Sequence, residues 1–235
     1  MSAPDLVTLS VHRVAARRVP AAFVRMATDR RRLARTPGAV FSKLLGTGDG
    51  RTFDLRDADL RTWALLVAWT TQEAWRRFDQ RSPVAQGWRE ISDERWVAEL
   101  RPVSAKGEWA GRQPFGTGRR QDPGEPVAAI TRARLRPSRM RTFWRAVPPV
   151  TLDLARRDGL LMALDIGEAP IGLQGTFSVW TSGQALTDFA YRGEAHRRAI
   201  RQTAQLDWYS EELFARFAVL RTHGTLDGRD PLAPA

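Results

Sequence analysis

The pattern of hydrophobic and polar positions falls into two series of elements that repeat in the same order. LVTLSVHRV and PVAAITRARL read as strands, and each leads into a segment with helical spacing and a proline near its start, PAAFVRMATDRRRL and PSRMRTFWRAVPPVTLDLARR. The glycine-punctuated KLLGTGDGRTF and LMALDIGEAPIG come next, followed by the strands TWALLVAW and QGTFSVW. A second helix then appears in each series, TQEAWRRFDQ and SGQALTDFAYRGEAHRRAIRQTA, before a short third helix and a last strand, VAELRPV and FARFAVL. The order β-α-β-β-α-β is that of a ferredoxin-like unit. Two such units in tandem predict an α+β fold, a duplication packed sheet against sheet as a pseudo-symmetric barrel of the dimeric α/β type.

Local matches support the duplication. Trp69-Thr70-Thr71-Gln72-Glu73-Ala74, with Phe78 four residues on, parallels Trp180-Thr181-Ser182-Gly183-Gln184-Ala185, with Phe189 four residues on. Val7 to Met26 aligns without gaps on Val127 to Ala146, and the halves end in the aligned Gly107 and Gly224. The expected organisation is an N-terminal half over 1–112, a linker over 113–126 and a C-terminal half over 127–235, together one compact unit. The linker, QPFGTGRRQDPGEP, is rich in glycine, proline and charge and is expected to be mobile.

Composition narrows the chemistry. A chain of 235 residues, 43% hydrophobic and with nine tryptophans, can bury a substantial core. With no cysteine, disulfides, thiolate ligands and cysteine nucleophiles are excluded. No run of apolar residues is long enough to span a bilayer, and charge follows soon after the N-terminus, so neither a membrane span nor a secretory signal is expected. A cytoplasmic location follows, with membrane association left open. The net charge of +11 is carried almost wholly by arginine, Lys43 and Lys106 being the only lysines. Those arginines are spread along the chain, which points to a solvated surface rather than to a nucleic-acid site, and leaves room for attraction to anionic lipid.

The candidate chemistry centres on His196 in YRGEAHRRAI. At about 100° per residue, Phe189, Gly193, His196, Ile200 and Thr203 fall on one stripe of the helix, with Glu194, Arg197, Arg198 and Arg201 opposite. Gly193, almost one turn earlier, would leave room for a flat body. The first half has Ala85 at the aligned position and Pro83 just before it, so the duplication carries a histidine on one side only. From the residues alone, both a hydrogen-bonded core histidine and a ligand-binding one remain open. His12 and His223 have no second ligand at metal spacing. GTGDG lacks the Gly-Lys-Ser/Thr ending of a phosphate loop and reads as a turn. No G-x-S-x-G elbow is present. Trp63, Trp69, Phe177 and Trp180 lie on the central strands, where those facing inward would line an apolar pocket.

The segments LARTPGAVFSKLLGTGDGRTF, SAKGEWAGRQPF, ITRARLRPSRMRTFWRAVP, IGEAPIGLQGTFSVW, EAHRRAIR and WYSEELFARF, in this order, resemble the spheroidene monooxygenase family of carotenoid biosynthesis over nearly the whole chain. The resemblance implies an O2-dependent oxygenase that introduces a keto group near the end of an acyclic carotenoid, with haem b as cofactor and a small electron donor such as a ferredoxin. Together with the inward stripe it makes His196 the candidate axial iron ligand, flanked by Gly193 and Ile200; Arg132, Arg134 or Arg197 are candidates to pair the propionates, and Phe177 to line the pocket. Lys106 and Trp109, in SAKGEW, are candidates for contact with a carboxylate or a substrate oxygen. Two other readings stand beside this one. A haem enzyme could oxidise a soluble natural-product intermediate, or dehydrate it at nitrogen as aldoxime dehydratases do, and a non-catalytic barrel could carry haem or another hydrophobic ligand. Because duplication supplies both halves of the barrel, a monomer or a homodimer is expected.

Overall fold

The computed structural model describes residues 4–48, 58–116, 121–122, 124–136, 138, 158–168, 175–192 and 208–233. The first half contains β1 (Leu6–Val14), a 3-10 turn (Ala16–Arg18), α1 (Val19–Ala34), β2 (Ala39–Gly48), β3 (Ala58–Trp69), α2 (Gln72–Arg81), α3 (Pro83–Ile91) and β4 (Ser92–Gly107). In the second are β5 (Val127–Leu135), β6 (Leu160–Gly167), β7 (Gly175–Trp180), α4 (Gly183–Arg192) and β8 (Tyr209–Gly224). All ladders are antiparallel, and the strands close into a barrel in the order β1-β3-β2-β6-β7-β5-β8-β4. Each half therefore contributes a four-stranded ferredoxin-like sheet, as predicted. Phe115 is 1% exposed, and its ring lies 5.0 Å from that of Phe217, so this part of the expected linker is anchored in the core rather than free.

Internal symmetry governs local detail. Gly38 and Gly159 both take positive φ, their carbonyls accept from Thr70 and Thr181 at 2.8 Å, and an added Cβ would meet Ala74 in one half and Ala185 in the other. Helices α2 and α4 start on matching caps: the hydroxyl of Thr71 accepts from Ala74 N at 3.1 Å and that of Ser182 from Ala185 N at 3.2 Å. Trp69 contacts Phe78 with ring centroids 5.1 Å apart, and Trp180 contacts Phe189 at 5.2 Å. The long β4 and β8 pair with each other so that Trp96 faces Gly224 and Gly107 faces Leu213, which is the same contact viewed from either half.

Two expectations change. Leu6 pairs with Trp69, and Val127 pairs with Trp180, so Val127 corresponds to Leu6 and not to Val7. One residue of slip moves a side chain to the other face of the sheet: Val7 points into the barrel, Val127 out toward the helices. Second, Gly46, Thr47 and Gly48 are not in a turn; they end β2 and pair with Gly167, Ile166 and Asp165, closing the barrel between the halves.

The barrel has two kinds of core. Inside lie residues such as Val7, Leu9, Leu66, Trp96, Phe177 and Phe217. Outside the first sheet, α1 to α3 cover Trp63, Leu65, Val67 and Trp69 with Trp75, Phe78, Trp88 and Ile91. Of the four central-strand aromatics, Phe177 alone faces inward; Trp63, Trp69 and Trp180 face the helices.

Candidate functional site

At one end of the barrel, side chains from five strands or their ends form a half-buried ionic cluster around the buried Arg132 and Trp109. Glu168, just after β6, accepts from Lys43 Nζ at 2.6 Å, Trp109 Nε1 at 2.7 Å and Arg132 Nη2 at 3.2 Å. The other Nη of Arg132 bonds the Glu211 carboxylate, which also accepts from the backbone N–H groups of Ala110 (3.1 Å) and Gly111 (3.0 Å). The Arg132 guanidinium lies 5.3 Å and the Lys43 ammonium 5.6 Å from the Trp109 ring centroid, both in cation–π range. Arg132 is only 2% exposed, so its charge depends on these carboxylates. Burial acts to raise the Glu168 carboxyl, but the hydrogen bonds from Lys43 and Trp109 and the neighbouring cations hold it below the usual carboxylate range. Glu211 is lowered in the same way, its burial outweighed by the Gly111 and Ala110 amides and by Arg132. Two ionised carboxylates balanced by two cations make a fixed clamp, not an acid–base pair poised near neutrality.

This cluster unites two of the predicted site residues, Trp109 and Arg132, and adds Lys43, Glu168 and Glu211. Lys106 is exposed at the end of β4 and pairs with Phe214, away from the cluster; the lysine that reaches the carboxylate is Lys43. A cation in AVFSKLLGTG, at an inward position between Phe41 and Leu45, was the signal for it. Arg134 pairs with Glu211 in the β5–β8 register. Arg132 and Phe177 lie on the barrel side of their strands, the face opposite α4. Gly193, His196, Arg197 and Ile200 lie outside the described residues.

The second feature is the helix-facing surface of the C-terminal sheet. Asp165 on β6 stands opposite Thr176 on β7, and Ala163 opposite Ser178. Asp165 is 1% exposed, and its Oδ1 accepts from Thr176 Oγ1 at 3.4 Å. The symmetry-related positions are Leu44 opposite Leu65 and Ser42 opposite Val67. On the neighbouring strand, His12 of the first half corresponds to Ala133 of the second. Thus a floor that holds large apolar groups in one half is small and polar in the other.

The two described histidines lie on β1 and β8. His12 is 2% exposed, and its Nδ1 lies 3.0 Å from Ser92 Oγ; burial, with Arg95 and Arg89 nearby, lowers its pKa to about 3. His223 is also lowered, chiefly by burial. Among the described residues no three acidic or histidine side chains converge as a metal site, and no helix is long and apolar enough to cross a membrane.

No protein-family model matches the sequence. The chain is 36% identical over 217 residues to the spheroidene monooxygenase of Rhodobacter capsulatus, covering 92% of this chain and 90% of that protein. The chain belongs to the spheroidene monooxygenase family. It is also 40% identical over 193 residues to the Rubrivivax gelatinosus spheroidene monooxygenase, across 82% of this chain and 73% of the other. With the family comes the monooxygenase class of oxidoreductase. A solved aldoxime dehydratase in complex with butyraldoxime shares the fold, with a TM-score of 0.59 at 13% identity over 91% of this chain and 79% of that one. The segments by which this chain resembles the spheroidene monooxygenase family supply every member of the ionic cluster: Lys43, Trp109, Arg132, Glu168 and Glu211.

Proposed function

We propose that the protein is a haem-dependent monooxygenase that oxidises a long apolar substrate such as an acyclic carotenoid, with haem b held between the C-terminal sheet and the helix bearing His196. The observation that carries this reading is the exchange of bulk between the halves. In the first half the space between helix and sheet is filled by Trp63 and Trp88, whose rings lie 6.5 Å apart, above Leu44 and Leu65. Extending the Phe78–Phe189 spacing along the sequence puts Ala199 in the place of Trp88, Gln174 in that of Trp63 and His196 in that of Ala85. Ala85 is 5% exposed on the sheet-facing side of α3. A histidine related to a buried, sheet-facing alanine, in a layer that has lost two tryptophans and gained Asp165 and Thr176, suits a planar ligand with a metal to coordinate.

The chemistry of the residues also supports such a group. His12 is engaged with Ser92 in the first half and His223 lies on β8 opposite Val97, and His196 is the imidazole that would ligate the iron. Arg197 is the candidate to pair a propionate from the helix side; Arg132 and Arg134 share the barrel face of β5, and both Arg132 Nη atoms are bonded to carboxylates. Haem iron would supply O2 binding and activation, which this cysteine-free chain does not provide alone. Each turnover inserts one oxygen atom into a substrate C–H bond and reduces the other to water, using two protons and two electrons from an external donor such as a ferredoxin. The names of the relatives support a carotenoid as substrate.

The test is the visible spectrum of protein from haem-supplied cells, beside His196→Ala. A Soret band near one haem per chain, lost or shifted in the variant, is the expected result. A colourless protein that stays apo when haem is added would sink the proposal.

A further inference from the structure

On the far side of the first half, α1 presents an unusual outer surface. Its one acid, Asp29, is fully buried, bonded by Arg32 Nη1 at 3.0 Å, with Arg25 also in reach. The exposed stripe of the helix runs Pro20, Val24, Ala27, Arg31, Arg35, so that apolar positions lie in the middle and cations toward the end. Val24 is 61% and Phe23 37% exposed, two of the five exposed large hydrophobics among the described residues. A third, Leu60, adjoins them through Trp63, which touches the Phe23 ring at 5.1 Å and donates Nε1 to the Leu60 carbonyl at 2.9 Å. Arg17 and Arg18 precede the helix.

Beyond the other end of α1 lies a cleft of about 570 Å3 between α1, α2 and the start of α3. Arg32, Arg35, Arg77 and Arg81 line it over a floor that includes Phe78 and Val84, and among the described residues no acidic side chain lines it. Arg32 is paired with Asp29, and Arg77 has a loose exposed partner in Glu73 at 3.8 Å. Arg35 and Arg81 have no acidic partner among the described residues and are exposed.

We propose that α1 and this cleft form a docking face for an anionic lipid bilayer, with Phe23, Val24 and Leu60 entering the interface and the cleft arginines taking lipid phosphates. Exposed apolar side chains bracketed by cations, on a surface poor in carboxylates, match the two requirements of an interfacial helix: apolar area to bury and charge to pair with headgroups. Guanidinium is suited to bidentate phosphate contacts, and its aliphatic stem can lie along the apolar floor. A nucleic acid would satisfy the arginines but leave Val24 and Phe23 without a partner. The inference deepens the reading of an apolar substrate, because it would bring the enzyme to the phase in which such a substrate dissolves.

The experiment is co-flotation of the full chain with vesicles of phosphatidylglycerol and phosphatidylcholine, or of phosphatidylcholine alone, recorded beside the visible spectrum. Wild type is expected to float with the anionic vesicles only. Arg35→Glu with Arg81→Glu should weaken that partition at least about tenfold, at roughly one Arg headgroup contact each. Val24→Ser, which leaves charge unchanged at a residue without core contacts, should weaken it about threefold. A matched charge change outside this face, Arg112→Glu with Arg229→Glu, should have a much smaller effect. Absence of wild-type binding, a cleft variant that binds as well as wild type, or an equal loss in the matched control would each overturn the docking face. Lipid binding by a protein without a Soret band would fail the haem reading alone; a haem-loaded protein that ignores anionic vesicles would fail the docking face alone.

Discussion

The two halves share strand order, glycine turns, caps and a Trp–Phe contact, yet the helix-facing surfaces of their sheets differ. In the first half that layer is a conventional core, with Trp63, Trp88, Leu44 and Leu65 against α1 to α3. In the second, the related sheet positions carry Asp165 and Thr176, and Ala199 stands where the repeat would place Trp88. On the proposed reading, the packed layer of the first half stabilises the barrel and the related layer of the second half takes the ligand. That division is physically economical, since a ligand site needs the very volume and polarity that a core excludes.

The sharpest way to break the comparison is to exchange the layers. Trp88→Ala should cost about 4 kcal/mol in urea unfolding, because it empties a fully buried indole site in a well-packed layer. Its mirror image, Ala199→Trp, should leave the fold in place while reducing haem loading at least about a hundredfold, read from the Soret band per chain. If Ala199→Trp loads haem normally, the two layers are not equivalent and the cofactor lies elsewhere.

Next in size is the barrel-end cluster, which breaks the symmetry on the inner face. The register relates Arg132 to Val11, which is fully buried in the first half. Arg132→Val should cost about 3 kcal/mol, because two half-buried carboxylates, Glu168 and Glu211, lose their shared cation. The same charges set an acid limit. Both carboxyls are held below their ordinary range in the folded protein, so their contribution is present above the unfolded value near 4.5 and is lost as pH falls through the folded one. An Arg132→Val protein as stable as wild type would make the cluster dispensable for folding and leave the arginine to function alone.

Much of this was visible in the sequence, and the failures share one cause. The strand order of both halves and the helix order of the first followed from periodicity, and the WTTQEA and WTSGQA matches related α2 to α4. The faces of the strands did not follow, because both sides of this sheet are covered and TWALLVAW has no polar side to mark the outside. For the same reason the Val7–Val127 alignment looked sound one residue out of register. LARTPG against LARRDG, which precedes β2 and β6, would have corrected it, since those glycines both close the turn at positive φ. SAKGEW points to Lys106, whereas the partner of Lys43, Glu168, arrives from 125 positions away and nothing local marks the pair.

Symmetry in the turns gives a smaller and more exact test. Gly38→Ala and Gly159→Ala each force a side chain into positive φ and bring its Cβ to 2.4 Å and 2.8 Å from an alanine methyl on α2 and α4. Each should lower stability by about 2 kcal/mol, with Gly38 the more sensitive. Thermal melts of the two variants would show it, and a neutral Gly159→Ala would mean that the two turns bear load unequally.

The smallest effect separates the halves by pH. Ser92 Oγ donates to the Trp88 carbonyl at 2.6 Å, so it must accept from His12, which fixes a neutral imidazole with its proton on Nδ1. Protonating Nε2 would place a charge in the buried layer beside the Trp88 ring and near Arg95 and Arg89, and the folded pKa drops to about 3. The unfolded chain takes up that proton near 6.5, so the stability due to a neutral His12 is complete above pH 6.5 and is lost as pH falls from there toward 3. The slope is at most about 1.4 kcal/mol per pH unit. His12→Asn keeps a donor for Ser92 and cannot titrate, so urea midpoints of wild type and variant should converge or cross as the buffer is taken from pH 7 to pH 5. Parallel curves would mean that water or a rotated Ser92 reaches the ring, and that the first-half layer is less tightly closed than its tryptophans suggest.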